Sequence, residues 1–486
     1  MMETTADGVV HVDKEEFMQL WQSIFMSTDN LLQLCNTELY HLFPEGALNT
    51  RVQLRDGTTV RYVNLDNAAT TIPLLSVLER IAAEFDTYGS VHRGAGQKSK
   101  KTTEHYEAAR RTIADFLHAS TENYIFFTKN TTESINLAAT VWSQKSGKIL
   151  VSDSEHSSNL LPWLQNEGKE NILQYKTNQD GTIDIAAIEK MFQANSDIKL
   201  LAITGSSNIT GYKPDIYAIA ELAHKYGAKI FVDACQLLQH KQLDVLPDTD
   251  SRHIDFVAFS GHKMYAPFGI GILVGPKQFF DSSTPYQIGG GNLPYITGEL
   301  EILRYNTVQT FDPGTPNAIG AIALAESITT LQQLGLEKIA DYEHSLVEKA
   351  FDALQTIDGV TIYVQKEHLG TVLPFDIEGF HSKLTAEILA QEYGIGTRAG
   401  SFCTYELIRK LKGISREQDQ EIAQEVRQGI TKNIPAVVRA SFALSNNYED
   451  LRRFIAAVHD ISKNGAEYYL PKYEQKIDGS WDAKVN

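Results

Sequence analysis

Lys263 closes the segment Phe259-Ser260-Gly261-His262-Lys263, and upstream the apolar run Phe231-Val232 ends in Asp233. The run Ile254 to Phe259 delivers the lysine into a loop of small residues, and a second run, Ile270 to Val274, leads away. A loop lysine is most often a solvated surface charge, and an aspartate after a strand most often caps the next helix. Taken as a pair they suit one chemistry: an amine that condenses with an aldehyde, and a carboxylate that keeps a pyridine nitrogen protonated. Pyridoxal 5′-phosphate needs both, with Lys263 as its covalent anchor and Asp233 as the partner of its ring nitrogen.

Further residues supply the rest of such a site. Asn130-Thr131-Thr132-Glu133 opens an apolar helical stretch with the spacing of a capping box, and a helix N-terminus with free N–H groups suits a phosphate. Thr131 and Thr132 would be phosphate ligands there, with Ser260 and His262 holding the same group. His156, in Ser154-Glu155-His156-Ser157-Ser158-Asn159, would stack on the pyridine ring and shuttle protons. Asn208 and Gln236 would reach the cofactor's 3′-oxygen. Arg439 sits in the apolar run Ala436 to Leu444, where a guanidinium needs an anion. A structural salt bridge would satisfy it, and so would the α-carboxylate of an amino-acid substrate, the reading favoured beside such a cofactor. Cys403 follows Arg398-Ala399-Gly400-Ser401-Phe402 in a turn near a cation, where a thiolate is favoured. Cys35 and Cys235 read as inert packing residues.

These residues need a frame that brings them together. From about Lys148 to Val274 short apolar runs alternate with helical patterns, the βα rhythm of a mainly parallel sheet. Lys148–Val151, Leu200–Ile203, Ile230–Val232 and Phe256–Phe259 read as buried strands, and Asp215–Tyr226 as a helix stopped by Gly227. Ligands of open α/β sheets collect at the carboxyl ends of strands, where Asp233 and the Lys263 loop would lie. The expected organisation is an N-terminal segment over 1–60 packing on the smaller domain, and a large cofactor domain over 61–325. A smaller α+β domain follows over 326–465, with short strands at Gly359–Val364 and Val437–Leu444, and then a polar, loosely ordered tail over 466–486. The pattern Asn317–Leu334 reads as a long helix linking the two domains.

With 486 residues, 42% of them hydrophobic, the chain has enough apolar material for two domains. The formal charge of −17 argues against nucleic acid as a partner. No apolar stretch is long enough to span a bilayer, and the acidic start lacks the character of a signal peptide. Three cysteines without metal-type spacing point to no metal site, no disulfide framework and a reducing, cytoplasmic location.

This ordered set resembles the class V aminotransferase superfamily, and within it the cysteine desulfurase and selenocysteine lyase branch, from about Tyr62 to Val458. Leu65-Asp66-Asn67-Ala68-Ala69-Thr70 resembles the opening strand and substrate-side turn, and Ser90-Val91-His92-Arg93-Gly94 the next active-site loop. The segments holding Thr131, His156, Asn208 and Asp233 follow in family order, and Ser260-Gly261-His262-Lys263 is the most specific match. The resemblance implies an α/β enzyme of PLP fold type I. It would act as a homodimer, with Gly289–Asn292 and Gly314–Asn317 crossing to the neighbouring subunit and Thr315 reaching its phosphate. It also implies that Ala68, His92, Arg93 and Arg439 meet the substrate. Lys263, His156 and Cys403 would act on it, turning L-cysteine into L-alanine and passing sulfur to a Cys403 persulfide and then to an acceptor protein. Around the cysteine the chain departs from the family's short-loop members, which usually have histidine before it and proline soon after. Here Ser401-Phe402 precede it and Thr404-Tyr405-Glu406 follow, a look closer to molybdenum-cofactor sulfurase-like members. Other activities compatible with the same set are selenocysteine lyase, another β-lyase, an epimerase or a transaminase. A dimer that binds the cofactor without catalysis is also compatible.

Overall fold

The computed structural model describes residues 39, 41–304 and 307–484. Its centre is a seven-stranded sheet. The strands are β1 (Asn123–Thr128), β2 (Lys148–Ser152), β3 (Ile172–Tyr175), β4 (Ile198–Thr204), β5 (Lys229–Asp233), β6 (Phe256–Ser260) and β7 (Gly271–Pro276). They lie side by side in the order β1-β7-β6-β5-β4-β2-β3. All neighbours run parallel except β7, which is antiparallel to both β1 and β6. The strands are apolar throughout because both faces are covered, and alternate residues enter different cores. Ile125, Leu150, Leu201, Ile230, Val232 and Val257 face one cluster, and Phe126, Ile149, Leu200, Phe231, Phe256 and Leu273 face the other.

The helix α1 (Thr131–Trp142) follows β1 and is capped by Asn130, whose side chain accepts from the Glu133 N–H at 3.0 Å. The Glu133 carboxylate reaches back one residue further than a capping box requires, to the Lys129 N–H at 2.6 Å. Helix α2 (Ile216–Lys225) is capped by Asp215, and α3 (Ala318–Leu334) by Asn317, with Gly335 at φ 87° ending it.

A second sheet contains β8 (Val360–Ile362), β9 (Val372–Ile377), β10 (Arg398–Gly400) and β11 (Val437–Ser441), antiparallel in the order β8-β9-β11-β10. Helices α4 (Ser382–Tyr393) and α5 (Tyr448–Tyr469) pack on it, with Phe454 of α5 edge-on to Phe375. Val63–Asn64 pairs in parallel with Ile395–Gly396, and the Asp66 bridge to Ser441 carries the chain from there towards the large sheet.

Two expectations change. Of the N-terminal segment, residues 1–38 and 40, Cys35 included, lie outside the described residues. The described part touches both sheets' surroundings: the Arg55 N–H donates to the Gln391 carbonyl, and the Phe43 ring lies 5.9 Å from that of Tyr265. The tail is not loose. α5 runs to Tyr469, and Tyr473–Gln475 pairs with Trp481–Ala483 in a hairpin that buries Tyr473. Polar composition hid this, because two aromatic anchors, Tyr473 and Trp481, carry the packing.

Candidate active site

The functional loops leave the carboxyl ends of parallel strands and converge on a cavity of about 380 Å³. β1 supplies Thr131 and Thr132, β2 supplies His156, β4 leads to Asn208, β5 ends in Asp233, and β6 runs into Ser260, His262 and Lys263. The second sheet adds Arg439 from β11 and Cys403 from the turn after β10, and Ala68 and Gln236 complete the predicted residues on the wall. His92, Arg93 and Thr315 do not line this cavity. The His92 ring bonds Glu107 at 2.8 Å, and Arg93 donates to the Gly290 and Gly314 carbonyls.

Asp233 is 5% exposed, and the only hydrogen bond to its carboxylate among the described residues comes from the Cys235 N–H at 3.0 Å. Burial pushes its carboxyl up, while that bond and the nearby Lys263 charge pull it down. A buried carboxylate so thinly partnered suits a cationic ring nitrogen. At the start of α1 the Thr131 N–H donates to Ser260 Oγ at 2.7 Å, and the Thr131 and Ser260 hydroxyls lie 2.6 Å apart. Thr132 Oγ1 meets Ser158 Oγ at 2.8 Å. Four hydroxyls around one helix N-terminus, with the His262 ring and Lys263 beside them, form the donor set a phosphate monoester requires. The residues present therefore fit pyridoxal phosphate at both its charged ends.

His156 is held to one tautomer. The Ser158 N–H points at Nδ1 at 3.1 Å, so the neutral ring carries its proton on Nε2. Burial, then the Lys263 and Arg439 charges, lowers its pKa to about 4, and burial and Lys263 do the same to His262. Next to His156, Glu155 is buried and accepts from Ser152 Oγ, Asn159 Nδ2 and the Thr204 N–H. Burial pushes its carboxyl up to about 7, and the Asp233 charge adds to the rise.

Arg439, 3% exposed, sits opposite Arg398 in the β10–β11 register, and Asp66 bridges them. Arg439 reaches Asp66 Oδ1 at 3.2 Å and Arg398 reaches Oδ2 at 3.0 Å. Arg439 also donates to the Asn208 carbonyl at 2.9 Å and lies over the Phe402 ring at 4.3 Å, and its buried Nε–H has no partner among the described residues. Burial lowers its pKa to about 10, so it stays charged at neutral pH. A charged guanidinium on the cavity wall suits a substrate carboxylate.

Cys403 is exposed at the cavity mouth, and its carbonyl accepts from Ser157 N–H and Oγ at 2.8 and 2.9 Å. The Asn208 amide gives one N–H to the Phe402 carbonyl, and the Gln236 amide gives one to the Ala68 carbonyl, so each keeps a second N–H for a ligand. Cys235 is not a remote packing residue: it lines the cavity and accepts from Thr131 Oγ1 at 3.1 Å. The sequence reading missed Ser158, Glu155, Arg398 and the bridging role of Asp66. The Ser157-Ser158 pair beside His156 and the repeated arginines at 398 and 439 were the available signals.

The family model for aminotransferase class-V matches residues 63–454. The chain belongs to the class-V aminotransferase family. Among curated members, this class-V aminotransferase is 34% identical to a probable cysteine desulfurase of Halalkalibacterium halodurans, over 80% of this chain and 90% of the relative. It is 32% identical to a cysteine desulfurase of Klebsiella pneumoniae, over 78% and 89%. Among solved structures it resembles the apo cysteine desulfurase of Thermococcus onnurineus NA1, with a TM-score of 0.72 and 30% identity over 83% of this chain and 95% of the other. A cysteine desulfurase of Escherichia coli in its S-sulfonic acid form gives a TM-score of 0.70 and 28% identity, over 86% and 98%. The expected fold, an α/β enzyme of PLP fold type I with a mainly parallel sheet, is the one these structures share.

Proposed function

We propose that the protein is a pyridoxal-phosphate-dependent cysteine desulfurase that converts L-cysteine to L-alanine and loads the sulfur on Cys403 as a persulfide. The observation that carries this reading is the convergence of Lys263, Asp233, His156, Arg439 and Cys403 on one cavity in a chain whose curated relatives are named cysteine desulfurases. When bound, pyridoxal phosphate supplies an electron sink next to the substrate Cα. The chain's own residues do the rest. Asp233 keeps the ring nitrogen protonated, and the hydroxyls of Thr131, Thr132 and Ser260 hold the phosphate end with His262. Lys263 anchors the cofactor, then takes the proton from the substrate Cα. Arg439 binds the α-carboxylate. The neutral His156 presents Nε2–H to the cofactor face and the substrate sulfur. The Cys403 thiolate attacks the substrate Sγ: the S–S bond forms, the Cβ–S bond breaks, and its electron pair stays with the carbon fragment. Protonation of that fragment gives alanine, so oxidation of sulfur balances reduction of carbon.

The working unit is a homodimer in this reading. Thr315, His92 and Arg93 would then serve the neighbouring subunit's cavity. The hairpin of Tyr295–Ile296 with Ile302–Leu303 exposes five large apolar side chains, Leu300 at its tip at 80%, as a covered surface would. The reducing cytoplasm suits a reactive thiol, a second protein would accept the sulfur, and no helix among the described residues is long and apolar enough to cross a membrane. The deciding experiment is incubation of the reconstituted enzyme with L-cysteine under reducing conditions. Alanine and sulfide should appear in equal amounts; pyruvate, racemised cysteine or no turnover would each refute the assignment.

A further inference from the structure

Phe402 and Cys403 both have left-handed backbone, at φ 51° and 59°, and neither is glycine. Consecutive strained residues persist only where the surroundings over-determine them. Here Ser157 holds the Cys403 carbonyl directly, and Asn208 is spent on this loop at both ends of its amide. Nδ2 donates to the Phe402 carbonyl at 2.8 Å, and Oδ1 accepts from the Thr404 hydroxyl at 2.8 Å. The carbonyl of the same asparagine accepts from Arg439, so one residue joins the nucleophile's loop to the carboxylate site. Thr404 is 1% exposed and does not line the cavity. It occupies the N-cap of the helix Tyr405–Leu411, yet its side chain does not cap that helix. Threonine at a helix start ordinarily spends its hydroxyl on the free N–H groups. Its diversion to Asn208 leaves that helix end less satisfied and holds the amide oxygen, while the Phe402 carbonyl, which can only accept, sets the side that carries N–H.

We propose that Thr404 is a positioning residue for Cys403: through Asn208 its hydroxyl holds the thiol at a set distance from the substrate's carboxylate site. This rests on the desulfurase reading. Attack on the substrate sulfur is governed by placement of the thiolate, so loosening the loop slows sulfur transfer without weakening substrate or cofactor binding.

The test compares holoenzymes in a single turnover with L-cysteine, reading Cys403 persulfide by peptide mass spectrometry. Thr404→Val should slow persulfide formation about tenfold at saturating cysteine, the loss expected from one buried hydrogen bond. KM for cysteine and the cofactor absorbance should not move, and Thr404→Ser should restore the rate to within about twofold. Wild-type rate in Thr404→Val, or a serine variant as slow as the valine one, overturns the proposal. So does a valine variant whose KM rises in step with its lost rate. Thr404→Ala removes the same hydroxyl without a new methyl against Asn208, and decides the matter where the valine chain does not fold. A wild-type enzyme that releases no alanine from L-cysteine would instead defeat the desulfurase reading itself.

Discussion

Replacing Arg439 with alanine tests the substrate site directly, and its cost follows from the hydrogen bonds around the guanidinium. One terminal nitrogen is spent on the Asn208 carbonyl and the other on Asp66, while Nε–H is buried without a partner among the described residues. An incoming carboxylate would share the terminal nitrogens now on Asp66 and the Asn208 carbonyl, so the net gain is close to one strong charge-assisted bond. Such a bond contributes about 1.5–3 kcal/mol, which at the upper end is about a hundredfold in affinity. Truncation does not strand Asp66, because Arg398 still reaches its other oxygen at 3.0 Å. Steady-state alanine release against cysteine concentration should therefore show KM raised about a hundredfold in Arg439→Ala, with cofactor absorbance retained. Arg439→Lys keeps the charge without the fork and should fall between the two. Turnover at saturation also drops, because Arg439 no longer lies over Phe402 or bonds Asn208. A KM within about threefold of wild type in a fully loaded Arg439→Ala enzyme would refute carboxylate recognition and leave Arg439 a structural partner of Asp66.

Borohydride should fix the cofactor to Lys263 in a peptide map, and Lys263→Ala should abolish both that adduct and the anchored-cofactor absorbance. An unchanged spectrum would remove the foundation of the site. Cys403→Ser should lower alanine release by about a hundredfold or more, since a hydroxyl is a poor nucleophile towards sulfur, with cofactor binding intact; equal turnover would assign the chemistry to a cysteine-independent lyase. Far from the cavity, at the amino ends of β5 and β6, Asp255 is buried against His224, His253 and Lys229. Burial pushes its carboxyl up, but these three partners outweigh it and hold the pKa well below the ordinary range. The depressed value makes the ionised form the stabilising one. That stability is present above the unfolded pKa of about 4 and is lost as pH falls through the folded one. Asp255→Asn should lower the thermal midpoint at pH 7 and flatten the acid limb of the stability profile. An unchanged acid limb would show that the cluster contributes nothing.

Four of the five parallel strands that lead to the site were legible, β1 being the exception, because parallel strands are buried on both faces and read as unbroken apolar runs. Phe256 to Phe259 and Ile230 to Val232 differ from their observed limits by a residue or so at the ends. Strand direction was not legible in the same way. The run Ile270 to Val274 looks alike whichever way it points, and only the structure shows β7 turned against its neighbours. Asp66 was invisible as a bridge, because its partners lie 332 and 373 residues away and no local pattern reports such a distance. Glu155 gave no local sign of its place: it lies between a serine and a histidine in a loop, yet Ser152 and Thr204 at two strands' ends, with Asn159 from the turn beyond, enclose it. Cys235 was set aside as packing because most free cysteines are, yet the start of α1 comes to it through space.

The reversed strand explains why the two ends of the proposed cofactor site meet. β7 lies between β1 and β6, and its first residue, Gly271, pairs with Thr128 on one side and Ser260 on the other. Since β7 is antiparallel to both, β1 and β6 end at the same edge, one running into α1 and the other into Lys263. Their approach is close enough that a Cβ on Gly271 would sit 2.4 Å from the Asn130 carbonyl carbon and 2.6 Å from Thr128 Oγ1, distances no side chain tolerates. The missing side chain lets the Thr131 N–H come within 2.7 Å of Ser260 Oγ, joining the helix N-terminus to the turn that carries the lysine. The α1 N-terminus proposed for the phosphate and the turn that carries Lys263 are thus set at a fixed separation by backbone pairing rather than by flexible side chains. Asp233 emerges from β5, the neighbour of β6 on its other side, and so faces the same group from the far end. The α1 N-terminus, Lys263 and Asp233 are carried by three strands in one sheet's register, and that rigidity is what the proposed cofactor, with an anchor at each end, demands.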